Sequence, residues 1–185
     1  STRRKAQWLN KCPSHTIVNL RGNINTRLTK LEENEWDGAI FAAVALERLE
    51  YKSSDAITLD WMVSAPSQGA ICLVCRADDS DTLVACQAIN HEASSICTSV
   101  ERDFLKNMQG GCSTPIGAYA SIQNNEVVFK GRVCSIDGKF LKDIDCVNPI
   151  TTYNSIGTNT AETLLKDQYV IQAVKQFKRN KWTES

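Results

Sequence analysis

Hydrophobic positions along this chain follow different rules before and after about residue 92. In the earlier part, apolar residues come either in helical spacing or in short continuous runs. Arg3 to Lys11 has a helical pattern that stops before Pro13, and Ile24, Leu28 and Leu31 share one helical face within 24–32. Thr16 to Leu20 is a short β-rich run, and Gly38 to Ala43 and Ala70 to Cys75 are apolar runs of strand length. A helical turn through Leu46 and Leu49 and a polar linker at 52–55 lie between them. Ser64-Ala65-Pro66-Ser67-Gln68-Gly69 breaks the pattern, and Ser80 is placed to cap a helix reaching about Ile89. Continuous apolar strands separated by helices predict an α/β part, a mostly parallel sheet with helices on both faces.

Later in the chain the period changes. Residues 95–108 read as an amphipathic helix ending at Gly110, followed by alternating stretches at 116–122, 126–135 and 139–147. Asn124-Asn125 and Asp137-Gly138 supply tight-turn chemistry between them. Helical patterns follow at about 158–166 and 168–179. The expected unit is a C-terminal α+β domain with a three-stranded antiparallel sheet and helices on one face.

Composition narrows the function classes. The chain has 185 residues, 42% of them hydrophobic, and 21 basic residues balance 21 acidic ones. It can bury a core, but no whole-molecule field draws it to nucleic acid or to an anionic membrane, so any anion site is local. The longest apolar stretches are too short to span a bilayer, and the first residues lead into no signal-type apolar core, which points to the cytoplasm. The eight cysteines sit in apolar runs and read mostly as reduced core residues. Cys72 and Cys75 would point to opposite faces of a strand, and no second cysteine pair stands at zinc spacing, so no metal site is expected.

Chemistry concentrates in two places. Gly110-Gly111-Cys112-Ser113-Thr114-Pro115 sets a cysteine on a glycine-hinged loop between helix and strand. Adjacent glycines permit backbone angles that other residues avoid, and Pro115 stiffens the exit, so the sulfur can be presented at a loop tip. The arginines form the second feature. Arg3 and Arg4 open one helix, Arg21 begins the turn Arg21-Gly22-Asn23, Arg27 lies in the first turn of the next helix, and Arg48 follows a strand-like run. A cation near a helix N-terminus opposes the macrodipole by about 0.3–1 kcal/mol unless something anionic shares the site. Any one of these arginines alone reads as solvated surface charge. Together, at loop and helix ends, they suggest a carboxylate or phosphate cradle.

Several motifs then occur in a recognisable order: Ser1-Thr2-Arg3-Arg4-Lys5-Ala6-Gln7, Leu20-Arg21-Gly22-Asn23-Ile24-Asn25-Thr26-Arg27-Leu28, Asp37-Gly38-Ala39-Ile40 with Leu46-Glu47-Arg48-Leu49, Ala65-Pro66-Ser67-Gln68-Gly69-Ala70, Glu101-Arg102 and Gly110-Gly111-Cys112. In these the chain resembles the hydroxymethylbilane synthase, or porphobilinogen deaminase, family, closely over about 1–140 and loosely beyond. The resemblance implies a periplasmic-binding-protein-like α/β part. It also implies a transferase that joins four porphobilinogen molecules head to tail with release of ammonia, giving hydroxymethylbilane for haem and tetrapyrrole synthesis. The growing polypyrrole chain would be primed on a dipyrromethane held by a thioether to Cys112. Ser1, Arg3, Arg4 and Arg27 would bind that cofactor, and Arg21, Arg27 and Arg48 would hold the carboxylates of porphobilinogen and the growing chain. The full-length enzyme is expected to be a monomer.

The resemblance also divides the chain: 1–64 as the later part of a second domain, 65–90 as a segment returning to a first domain, and 91–185 as the third domain carrying Cys112. Val44-Ala45-Leu46 departs slightly from the family pattern, which should not disturb Arg48. The larger departure is that the chain starts inside the family's arginine motif. The family's catalytic aspartate therefore falls in a missing N-terminal portion, which becomes an expected partner, and this chain is expected to be inactive alone. The competing class is a non-catalytic anion- or carboxylate-binding module in which Cys112 is structural.

Overall fold

The computed structural model describes residues 1–111 and 113–181, with side chains as far as Phe177. Cys112 lies outside the described residues. Alternating apolar and polar positions form the expected meander: β1 (Ile116–Gln123), β2 (Glu126–Cys134) and β3 (Leu141–Pro149), antiparallel in that order. Asn124 and Asn125 both take left-handed angles, φ 49° and 64°, as a two-residue hairpin turn requires, and this sets Gln123 opposite Glu126. In the next turn Asp137 Oδ1 accepts from Ser135 Oγ at 2.6 Å and from Lys139 N at 3.1 Å. These bonds, the hydroxyl's first, hold the Asp137 carboxyl below its ordinary value.

One face of this sheet carries the core. Helix α5 (Glu92–Asn107) presents Ile96, Val100 and Phe104 four residues apart, with Met108 just past its end, so one stripe of the helix is apolar. Phe104 meets Phe129 of β2 edge to face, centroids 5.2 Å apart. Helices α6 (Tyr153–Leu164) and α7 (Gln168–Lys181) complete the layer through residues such as Ile156, Leu164 and Val170. Helix α1 (Thr2–Lys11), from the far end of the sequence, packs against β2 from the side where Arg132 points. A helix outside the C-terminal segment therefore covers part of the second face.

The chain divides into two units, residues 1–13 with 62–185, and residues 14–61. The second contains α2 (Ile24–Glu33) and the short α3 (Ala43–Glu47). Asn23 caps α2, its side chain accepting from Thr26 N and Thr26 Oγ1, each at 2.9 Å. No residue of 14–61 is buried, and Ile57 is 84% exposed. In the larger unit α4 (Ser80–Gln87) also buries nothing, and Val74 is 89% exposed.

The predicted parallel sheet is not seen: among the described residues no strand precedes Ile116. The runs 16–20 and 70–75 are irregular, as is 38–42, and Ala43 opens α3. Their backbone N–H and C=O groups need neighbouring strands, and a continuous apolar run carries no partner of its own. The reading of the cysteines changes for the same reason. Of the seven described, all are free thiols, Cys134 alone is buried, and Cys72 and Cys75 are exposed.

The packing of α6 on α5 is tight enough to test. A Cβ on Gly157 would stand 2.5 Å from Val100 O and 2.7 Å from Phe104 N, both backbone atoms that cannot move aside, whereas one on Gly38 would meet nothing. Gly157→Ala is expected to lower stability by about 1–3 kcal/mol through overpacking, and Gly38→Ala to change it little, as read by urea unfolding.

Candidate functional site

Helix α1 carries the first two predicted arginines, and its placement follows from one polar stripe. Arg3, Gln7 and Asn10 are spaced i, i+4 and i+7 and so share a face. Arg3 Nε donates to Ile116 O at the start of β1, and Asn10 Nδ2 donates to Gly138 O at 2.8 Å. Between them Gln7, 1% exposed, pairs with a single backbone residue: Nε2 donates to Val63 O and Oε1 accepts from Val63 N, both at 2.9 Å. The same Oε1 also accepts from Arg132 Nη1 at 3.0 Å. Arg132 is gripped by Asp143, Nε to Oδ1 and Nη2 to Oδ2, each at 2.6 Å. That paired fork raises the guanidinium's proton affinity further.

The first turn of α1 has two half-buried arginines and no acidic residue, so the positive end of the helix dipole is reinforced rather than offset. Carboxylates suit that donor set. Arg3 is held where the Cys112 loop runs into β1. Cys134 feels both Arg3 and Arg132, each pulling its thiol pKa down, but burial dominates and pushes it up to about 12. Cys97 and Cys146 are also raised, chiefly by burial. Protonated thiols are weak nucleophiles, so these three are chemically quiet near neutral pH.

The Cys112 loop is fastened on both flanks. Gly110 N donates to Leu105 O, Gly111 N donates to Thr114 Oγ1, and Thr114 Oγ1 donates to Gly111 O at 2.6 Å. Buried Pro115 accepts from Cys134 N at 3.0 Å. The left-handed angle here falls on Gln109, φ 54°, while Gly110 provides room: a Cβ there would lie 2.5 Å from Leu105 and 2.8 Å from Ile116. The hinge expected of Gly110 is thus a close-packed position.

Segment 63–69 is held against the same domain. Ala118 N donates to Ser64 O at 3.1 Å. Buried Glu101 of α5 accepts from Ser67 N at 2.5 Å and from Ala120 N at 2.8 Å, and Arg102 Nε donates to Ser67 Oγ. Ser67 takes a left-handed φ of 59° within this clamp.

Arg21, Arg27 and Arg48 lie in the other unit. Arg27 Nε donates to Gly22 O at 2.7 Å and Lys30 Nζ, from the last turn of α2, to Arg21 O at 3.2 Å, so two cationic side chains are tied to the backbone of the turn before α2. Arg48 is exposed at the C-terminus of α3, where the dipole favours a cation. Within its own unit the structure thus brings the side chains of Arg27 and Lys30 to the backbone of Arg21 and Gly22. Ser1 is exposed just before α1, its carbonyl accepting from Lys5 N. Sequence reasoning missed Gln7, Asn10, Lys30 and Arg132; the i, i+4, i+7 spacing was the available signal for the first two.

An arginine-bearing helix seated on the sheet of a C-terminal α+β domain is the class of arrangement the coordinates define. Comparison with known proteins specifies it. Residues 1–84 match the family model described as porphobilinogen deaminase, dipyromethane cofactor binding domain, and residues 95–166 match porphobilinogen deaminase, C-terminal domain. The chain is 40% identical over 170 residues to a porphobilinogen deaminase of Brevibacillus brevis, covering 89% of this chain and 54% of that protein. The corresponding protein of a Nostoc species is 38% identical over 170 residues, covering 91% and 52%. That of Prochlorococcus marinus is 36% identical over 183 residues, covering 96% and 58%. The chain belongs to the porphobilinogen deaminase family. It spans about half the length of the curated relatives it matches.

Glu101 makes the clamp on segment 63–69 sensitive to pH. Burial pushes its carboxyl above the ordinary 4.5, and the Ser67 and Ala120 N–H groups pull only part of the way back. Between 4.5 and the raised value the folded protein binds more protons than the unfolded one, so stability is expected to fall as pH rises through that window. Asp137 and Asp167 are shifted the other way, and their contributions are lost only as pH falls below 3.8. Urea unfolding across this range should show the slope above 4.5 vanish in Glu101→Gln. That variant should also cost about 1 kcal/mol, because its amide nitrogen cannot accept from Ser67 N.

Proposed function

We propose that this chain forms the second half of a hydroxymethylbilane synthase, a transferase that condenses porphobilinogen head to tail with loss of ammonia. The observation that carries the reading is the seating of Arg3 beside the exit of the Gly110-Gly111-Cys112 loop, in a chain that matches two successive models of one family. The dipyrromethane cofactor, when bound, supplies the pyrrole end on which condensation proceeds. Cys112 provides the sulfur of its thioether, used once rather than at each turnover. Arg3 and Arg4, with Ser1 at the same helix end, hold its acetate and propionate groups, and the reinforced positive end of α1 favours them. Arg21, Arg27 and Arg48 hold the carboxylates of porphobilinogen and of the growing chain, with Arg27 also reaching the cofactor. A guanidinium fork fixes a carboxylate in two places and leaves the pyrrole ring to react.

The domain layout is part of the proposal. Residues 1–64 are read as the later part of a second domain, 65–90 as a return to a first domain, and 91–185 as the third. The lack of buried residues in 14–61, and the exposed Ile57, Ile71 and Val74, support the view that the apolar runs 16–20, 38–43 and 70–75 become strands once sheet partners are supplied. Those partners, and the aspartate that would stabilise charge on the reacting pyrrole, come from the remaining length of the relatives. Among the described residues no helix is long and apolar enough to cross a membrane. A cytoplasmic, monomeric enzyme is the reading that goes with this function.

Mixing the chain with the N-terminal half of the Brevibacillus brevis relative is expected to restore porphobilinogen consumption, with neither part active alone and with a gain in strand signal by circular dichroism. Intact mass should then show a dipyrromethane on the chain, abolished by Cys112→Ala. Activity of the chain alone would remove the need for a partner. A mixture without consumption or mass gain would favour the anion-binding module instead.

A further inference from the structure

We propose that Arg132 is a positioning residue for the arginines of α1, acting through Gln7. The inference rests on the cofactor role assigned to Arg3 and Arg4, since it concerns how they are aimed. Arg132 and Asp143 are cross-strand partners in the β2–β3 ladder, and a guanidinium serving only that ladder would need no further contact. Its Nη1 instead reaches out of the sheet to Gln7 on α1. Asp143 occupies Nε and Nη2, which fixes the plane of the fork and so aims Nη1 at one point.

A guanidinium donates and never accepts, so Gln7 must turn its oxygen toward Arg132. That leaves Nε2 facing Val63 O, the pairing observed. Both lone pairs of Gln7 Oε1 are then used, by Arg132 and by Val63 N. Gln7 lies one helical turn from Arg3, so an error in its seat moves Arg3 and Arg4 relative to Ile116 and the loop before it. Arg132 and Gln7 are 7% and 1% exposed, so water replaces neither bond.

The test replaces both members of the ion pair, Arg132→Met with Asp143→Leu, so that no buried charge is left alone and the β2–β3 ladder keeps an apolar pair. Amide hydrogen exchange of the full chain is read by mass spectrometry. Residues 5–11 are expected to exchange about tenfold faster while the β1–β3 amides keep their protection. Unchanged protection in α1, or equal loosening of α1 and sheet, overturns the proposal, because the pair then serves the sheet alone. Should the double variant not fold, Arg132→Lys decides by the same reading: one ammonium cannot hold Asp143 in two places and still reach Gln7, so α1 should loosen with the sheet intact, and an unmoved α1 overturns it. The reconstituted mixture incubated with porphobilinogen gives a separate readout, a roughly tenfold slower mass gain on Cys112 in the variant. If the unaltered mixture gains no mass, the functional reading fails, while the exchange pattern still decides the role of Arg132.

Discussion

The pairing of Gln7 with both backbone groups of Val63 is the constraint from which the arrangement of the larger unit follows. A side-chain amide here takes the place that a neighbouring strand would occupy, giving one residue of an otherwise irregular segment a complete set of hydrogen bonds. Once Val63 is fixed, Ser64 falls beside Ala118 at the start of β1, and Ser67 comes within reach of Glu101 and Arg102. The same amide seats α1, and with it Arg3 beside the start of β1. Breaking it would release α1 and Val63 from each other at once.

What the sequence made legible follows a physical division. The antiparallel meander was readable because its signals are local: period-two alternation, asparagines that accept left-handed angles, and Asp137 beside Gly138 in the second turn. Helices α1, α2 and α5 were readable from apolar spacing, with Pro13 and Gly110 marking where the first and last of them stop. The apolar runs before residue 76 form no strand among the described residues, because a parallel strand is defined by neighbours, and nothing in Ala70 to Cys75 says whether those neighbours are present. The docking of α1 escaped notice because polar stripes normally face water; Gln7 and Asn10 face a protein surface. Gly110 was read for its angles when the strain sits on Gln109 and the glycine makes room for Leu105 and Ile116.

The site divides along the same line. In the unit with the sheet, Arg3, Arg132 and Cys134 already stand in definite relation, and desolvation raises the Cys97, Cys134 and Cys146 thiols without help from outside. In residues 14–61 Arg27 is tied to a backbone carbonyl, and no residue of that stretch is buried.

The clamp also governs how the chain tolerates change in length. Residues 14–61 leave the larger unit after Pro13 and return at Met62, and Gln7 and Val63, 56 positions apart, close that excursion like the neck of a purse. Closing a flexible loop costs only about 0.6 kcal/mol more for each doubling of its length. The excursion can therefore lengthen, shorten or carry an insertion with little effect on the seat of α1, so this stretch is where length variation among homologous chains is cheapest to accommodate.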